Sequence, residues 1–226
     1  MMGGNQVGAM IVASCTSDVS HIKAACGPTP VIFTGGKTAL EETYALLCDY
    51  RCSGTLAVGH LAGLGHEDIA LLTYEPENRT ILQKEEGFSA AMERRGLMPR
   101  IHRTGNAADA MQAGMDGVER LLKSGRLPTA LWCASDYMAV GAIYALKLHG
   151  LTVPGDISVM GHDDLYSGRY PENGLTTLRT PMAEIGQAAV KLAIALIEHE
   201  GEVCPRQVFQ PSLVVRGSTG PVRRRA

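Results

Sequence analysis

Short apolar runs alternate with stretches of helical period along this 226-residue chain. Runs at residues 7–13, 30–34, 68–73, 129–133 and 157–161 are too short for helices and are bounded by Gly, Pro, Ser or Thr, so they read as buried strands. Shorter or weaker runs at 45–48, 100–104, 175–178, 207–210 and 212–216 read the same way, the last two separated by Pro211. Between them the apolar spacing changes to three and four. Residues 17–26 are helix-like, and Ser53 starts a helix carrying Leu56, Ala57, His60, Leu61 and Leu64 on one side until Gly65 ends it. Helices are also predicted over 79–95, stopped by Gly96, over 107–124, and over 137–148, where Met138, Ala142, Ala145 and Leu146 recur before Gly150 and Pro154. Thr180-Pro181 opens a long helix in which Met182, Ile185, Ala189, Leu192 and Leu196 share a face. Repeated strand–helix alternation predicts an α/β, doubly wound, mostly parallel architecture.

The segment 131–165 carries most of the chemistry. Two strands joined by a helix lie parallel and adjacent, so their carboxyl ends open on one edge, where open α/β sheets bind ligands. Asp136 and Asp163 each follow one of those strands, which offers a polyhydroxylated ligand two acceptors. Each also has a plainer reading. Asp136 opens the 137–148 helix, where a carboxylate caps free amides. Asp163 and Asp164 are adjacent turn residues whose repulsion is relieved when one turns outward. Trp132, the single tryptophan, lies inside its strand and reads as core.

Composition narrows the classes. With 45% hydrophobic and 19% charged residues the chain is an ordinary globular one, long enough for two lobes. Lys+Arg 21 against Asp+Glu 23 leaves a net charge of −2, without the basic balance of a nucleic-acid-gripping domain, and the arginines at 223–225 read as a solvated tail. The six cysteines, at 15, 26, 48, 52, 133 and 204, form no CxxC pair or zinc spacing and read as reduced, mostly buried thiols of a cytoplasmic protein. Neither a signal peptide nor an apolar run of membrane-spanning length is readable. The strand, GGKT and helix layout at 33–38 fails as a phosphate loop, because Val31 stands where the pattern needs its first glycine. No GxGxxG or GxSxG occurs, and His60, His66 and His162 make no metal spacing; His66 reads as a donor at a helix C-terminus. No cofactor, metal or catalytic residue is therefore expected.

The order of motifs resembles the effector-binding region of the lac repressor family of bacterial transcription regulators, whose fold is shared with periplasmic sugar-binding proteins. Residues 6–12, QVGAMIV, resemble the family's third strand, and 54–66, GTLAVGHLAGLGH, its helix ending in LGH. Residues 130–141, ALWCASDYMAVG, are similar to an aromatic strand followed by ANDxMAxG; 153–164, VPGDISVMGHDD, to VPxDxSVxGFDD; 175–178 to an LTT strand; and 213–219, LVVRGST, to LVVRxST. This resemblance implies two Rossmann-like lobes of the periplasmic-binding-protein type I class, residues 1–49 with 181–210 and residues 50–180 with 211–226. It implies a small polar effector, a sugar or nucleoside-like molecule, held between them, a cytoplasmic homodimer, and contacts at Asp136, Asp163, Lys84 and Ser135. Closure would then be a population shift biased by the effector.

The departures are specific. Lys84 stands where the family has an arginine before Gly87-Phe88, Ser135 replaces Asn and Thr180 replaces Gln; a lysine point charge does not reproduce a planar bidentate fork. The match begins at the third strand, so the first lobe is expected to be N-terminally truncated, with an apolar sheet edge, and DNA contact is expected only through a helix-turn-helix domain without counterpart here. The second lobe is expected to fold well and the first poorly. The alternative binding class is a periplasmic sugar carrier of a transporter, against which the thiols argue.

Overall fold

The computed structural model describes residues 7–13, 20–35, 44–75, 79–165, 174–199 and 203–223. Residues 17–19 of the expected first helix, the turn at 36–38 and most of the segment between Asp163 and Gly174 lie outside them. The chain divides into two compact units, one of Met1–Asp49, Asn78–Thr80 and Pro181–Gln210, the other of Tyr50–Glu77, Ile81–Thr180 and Pro211–Ala226.

The first unit holds a sheet of parallel strands in the order β1 (Met10–Ala13), β2 (Val31–Thr34), β3 (Tyr44–Cys48) and β9 (Arg206–Phe209). Helices α1 (Ser20–Cys26) and α6 (Met182–Glu198) belong to it. The central strands are buried, Ile32, Phe33, Ala45 and Leu46 being fully enclosed. β1 alternates between half-buried and exposed positions, with Ile11 open to solvent, and forms an edge among the described residues. Pro181 is the N-cap of α6 and has no side chain that could bond the open first turn; its own missing N–H costs the helix nothing, since that position has no helical partner.

The second unit is built on a parallel sheet in the order β5 (Arg100–Arg103), β4 (Ile69–Thr73), β6 (Ala130–Cys133), β7 (Ser158–Met160). All five residues of β4, all four of β6 and all three of β7 are buried, as parallel strands covered on both faces must be. Alternate residues feed opposite cores. Ala70, Leu72, Leu131, Cys133 and Val159 meet α4 (Ala110–Lys123) and α5 (Asp136–Leu148). Ile69, Leu71, Trp132 and Met160 meet α2 (Tyr50–Gly63) and α3 (Arg79–Glu93), through Ala57, Leu61, Phe88 and Met92. β8 (Thr177–Arg179) and β10 (Ser212–Val214) form an antiparallel pair, and bridges at Met160–Thr176 and Asp163–Arg179 carry the β8 segment alongside β7.

Glycines set two close helix contacts. A Cβ on Gly114 would overlap the Met138 carbonyl and one on Gly141 the Met111 carbonyl, so α4 and α5 touch backbone to backbone. Gly54 and Gly87 do the same for α2 and α3, which brings the first turn of α2 beside Lys84. The expected 107–124 helix begins with a turn of 3-10 helix at Ala107–Asp109, because Asn106 and Asp109 cap successive segments. α2 begins at Tyr50, three residues before Ser53.

Candidate functional site

β4 is the switch point of the second sheet, since the chain leaves it toward β5 on one side and returns to β6 on the other. At its carboxyl end the Tyr74 hydroxyl meets Ser135 Oγ at 2.5 Å, linking the segments after β4 and β6. Burial pushes the Tyr74 phenol up to about 12, so it stays protonated. Ser135 is also the N-cap of α5, accepting from the Met138 amide at 3.2 Å. The reading of Asp136 as that cap is thereby corrected: Ser135 has the extended backbone that aims a side chain at the open turn, and Asp136 already lies within the helix.

Asp136 is fully buried and faces the other way. Its Oδ1 accepts from Thr177 Oγ1 at 2.5 Å and its Oδ2 from the Leu165 amide at 2.6 Å. Burial pushes its carboxyl from 3.8 up to about 6, against those two bonds and with the help of the Asp163 and Asp164 charges. Both oxygens are committed to holding the segment after β7 against β8.

Asp163 stands differently. Its backbone φ of 105° is in the region that L residues rarely adopt, and its amide donates to Leu178 O at 2.7 Å. Oδ1 accepts from His162 Nδ1 at 2.8 Å and from Thr180 Oγ1 at 3.2 Å. Among the described residues Oδ2 takes no hydrogen bond. Burial raises its pKa, but the Lys84 ammonium, the His162 ring and the bonds from His162 and Thr180 outweigh that and hold the carboxyl well below the usual range. Of the two adjacent carboxylates Asp163 is the one turned more outward, its side chain 32% exposed, and Asp164 is the enclosed one. Its side chain is 4% exposed because Arg216 and Arg179 clamp its two oxygens at 2.5 and 2.8 Å.

Lys84, on α3, is buried; its ammonium donates to Ala134 O at 2.8 Å and lies 5.2 Å from the centre of the Tyr50 ring. The structure thus brings Lys84, Ser135 and Asp163 to the segments that follow β4, β6 and β7, and sets Asp136 beneath them. Sequence reading missed Tyr50, Ser53, Tyr74 and Thr177, whose partners lie tens of residues away: Ser53 Oγ is 3.0 Å from His162 Nε2 across 109 positions. Trp132 is fully buried against Phe88 and His162, and its Nε1, with Thr73 Oγ1, lacks a hydrogen-bond partner among the described residues. His66 donates to the end of α2 only through its backbone amide, to Leu61 O at 3.1 Å; its ring is buried, with Thr129, Ser158 and the Gly220 carbonyl around its two nitrogens at 3.0 Å. Cys48 and Cys133 are buried, whereas Cys204 is exposed where the chain approaches β9. Among the described residues there is no cluster of His, Cys, Asp or Glu that could hold a metal, and no helix long and apolar enough to cross a membrane.

The second unit is thus a doubly wound α/β sheet with a buried cation and a strained, half-satisfied carboxylate at its carboxyl edge, the edge at which open α/β sheets bind ligands. Residues 58–219 match the model of the periplasmic binding protein-like domain. The chain is 32% identical to a crystallised LacI transcriptional regulator from a Rhodococcus species, with a TM-score of 0.85 over 95% of this chain and 79% of that one. The chain therefore belongs to the lac repressor family, through its effector-binding, periplasmic-binding-protein-like domain. It is 35% identical over 168 residues to the HTH-type transcriptional repressor PurR of Haemophilus influenzae, covering 73% of this chain and 50% of that protein, so it spans about half the length of the curated relatives it matches. A LacI family regulator from Enterococcus faecium, solved with bound ribose, is 26% identical with a TM-score of 0.83, covering 94% of this chain and 80% of that one. The relatives are regulators, not enzymes.

Proposed function

We propose that this chain is the ligand-sensing part of a cytoplasmic transcription regulator, and that its effector is a small neutral polyol, a sugar or nucleoside-like molecule. The observation that carries the reading is Asp163: a backbone held in a costly conformation keeps one carboxylate oxygen satisfied and leaves the other for a ligand donor. Lys84 supplies the complementary donor, and Asp136 and Ser135 complete the site by fixing the segments on which Asp163 and Lys84 depend. The ribose bound to the Enterococcus faecium relative supports a sugar, and the regulator names of the relatives favour a sensor over a transporter's carrier. The two compact units serve in this reading as the two lobes of the sensor. DNA contact belongs to the helix-turn-helix part of such regulators. The apolar row Tyr137, Tyr144 and Leu148 exposed on α5 suits a homodimer contact. Calorimetric titration with D-ribose, D-glucose, adenosine and D-gluconate tests the proposal. Binding of at least one neutral polyol, weakened at least about tenfold by Asp163→Ala, is expected, since a hydrogen bond to a charged group is lost. No heat with any of them, or equal affinity in the variant, overturns it.

A further inference from the structure

The Asp163 oxygen that faces away from the open position is held by a chain of hydrogen bonds running into the core. Ser53 Oγ lies 3.0 Å from His162 Nε2, and His162 Nδ1 lies 2.8 Å from Asp163 Oδ1. A carboxylate only accepts, so Nδ1 carries the proton; a neutral ring then has its lone pair on Nε2, and the Ser53 hydroxyl is the donor there. Free histidine in water prefers the opposite tautomer. The ring has no freedom to turn, packed at 6.3 Å from Trp132 and 5.7 Å from Tyr50. Around it stand the Lys84 ammonium from α3, the Asp163 carboxylate, the Tyr50 phenol from α2 and the Asp136 amide, which donates to the His162 carbonyl at 2.8 Å. Burial and Lys84 disfavour an imidazolium, and Asp163 opposes them without prevailing, so the ring is neutral at physiological pH.

We propose that His162 is the positioning residue of the effector site: it accepts from Ser53 at Nε2, donates from Nδ1 to Asp163, and by holding one Asp163 oxygen presents the other to the ligand. The order of groups is that of a hydrolase relay, but Ser53 is fully buried, so its oxygen has no approach to a substrate carbonyl and the chain fixes a carboxylate instead of activating a nucleophile. The pattern VPxDxSVxGFDD that residues 153–164 resemble has phenylalanine at this position, and a phenylalanine makes neither bond. Three elements therefore converge on one carboxylate: α2 through Ser53 and His162, the end of β7 through His162, and the end of β8 through Thr180.

The inference rests on the effector reading for its use, but its geometry is testable without any ligand. Long-range proton–nitrogen NMR of the whole chain, with His162 assigned from His162→Phe, is expected to show the Nδ1–H tautomer from about pH 6 to about pH 8. In Asp163→Ala the population is expected to shift toward Nε2–H. An Nε2–H tautomer in the unmodified chain, or no shift in the variant, overturns the proposal. Titration with D-ribose then separates positioning from space filling. His162→Asn keeps a donor near Nδ1 and should retain affinity within about threefold, whereas His162→Gln, closer to histidine in size but reaching toward Nε2, should lose roughly tenfold. Equal or reversed losses overturn the positioning role. A chain that shows the Nδ1–H tautomer yet binds none of D-ribose, D-glucose, adenosine and D-gluconate overturns the effector reading while supporting the proton chain.

Discussion

Replacing Asp136 by Asn should stabilise the protein at neutral pH and do almost nothing in acid. The carboxylate is fully buried, and burial lifts its pKa from 3.8 to about 6 even though Thr177 and Leu165 both donate to it. A group whose folded pKa is raised contributes stability that is present below its unfolded pKa and is lost as pH rises through the folded one. Ionising Asp136 at pH 7 therefore costs about 3 kcal/mol, falling to about 0.5 kcal/mol near pH 4. Asn has the same shape and no charge. Its oxygen can accept the Leu165 amide while its amide donates to a rotated Thr177 hydroxyl, so both contacts survive in altered polarity. Urea unfolding followed by the fluorescence of Trp132 at about pH 7 and about pH 4 should show the variant gaining about 2–3 kcal/mol at the higher pH and under about 1 kcal/mol at the lower. Asp163 and Asp164 have depressed pKa values and destabilise the fold as pH falls in both proteins; because their charges also raise Asp136, the difference reports the desolvation of Asp136 together with its repulsion from them. A gain of equal size at both pH values, or a loss at pH 7, would refute the desolvated-carboxylate argument.

Two further outcomes follow from the packing. Gly141→Ala places a methyl group on the Met111 carbonyl and should cost about 1–3 kcal/mol in denaturant melts, more than the helix propensity gained; a neutral or stabilising result would mean that α4 and α5 are not in backbone contact. His60, His66 and His162 all have pKa values lowered by burial, so their contribution to stability is present above their ordinary value of 6.5 and lost as pH falls below it. His66→Gln should flatten part of that acid dependence in the same melts, and an unchanged pH profile would count against it.

Local pattern announced most of the architecture because every buried strand of the second unit is a short apolar run ended by a breaker, and covered parallel strands need no alternation to be recognised. The turn of 3-10 helix at Ala107 was not legible, since Asn106 and Asp109 are both good caps and only the tertiary context assigns each its segment. At the site, Asp163 stood out because it follows a strand. Thr180 stood out only as a departure from the family pattern, and Ser53, Tyr74 and Thr177 not at all, because they are ordinary polar residues until β4, β7, β8 and α2 are brought together. Asp136 shows the limit most clearly: its place after a strand suggested a ligand contact, whereas the direction of its side chain, toward Thr177 and Leu165, depends on a contact 41 positions away.

The most direct test of the effector reading is a thermal shift of the whole chain and its Asp163→Ala variant against pentoses, hexoses, nucleosides and sugar acids. A ligand present at about 100 times its Kd adds about 2.7 kcal/mol, which for a chain of this size raises Tm by roughly 5–10 °C. The account predicts such a rise with at least one neutral polyol in the unmodified chain and little or none in Asp163→Ala at the same concentration. No rise with any compound, or an equal rise in both proteins, would contradict it.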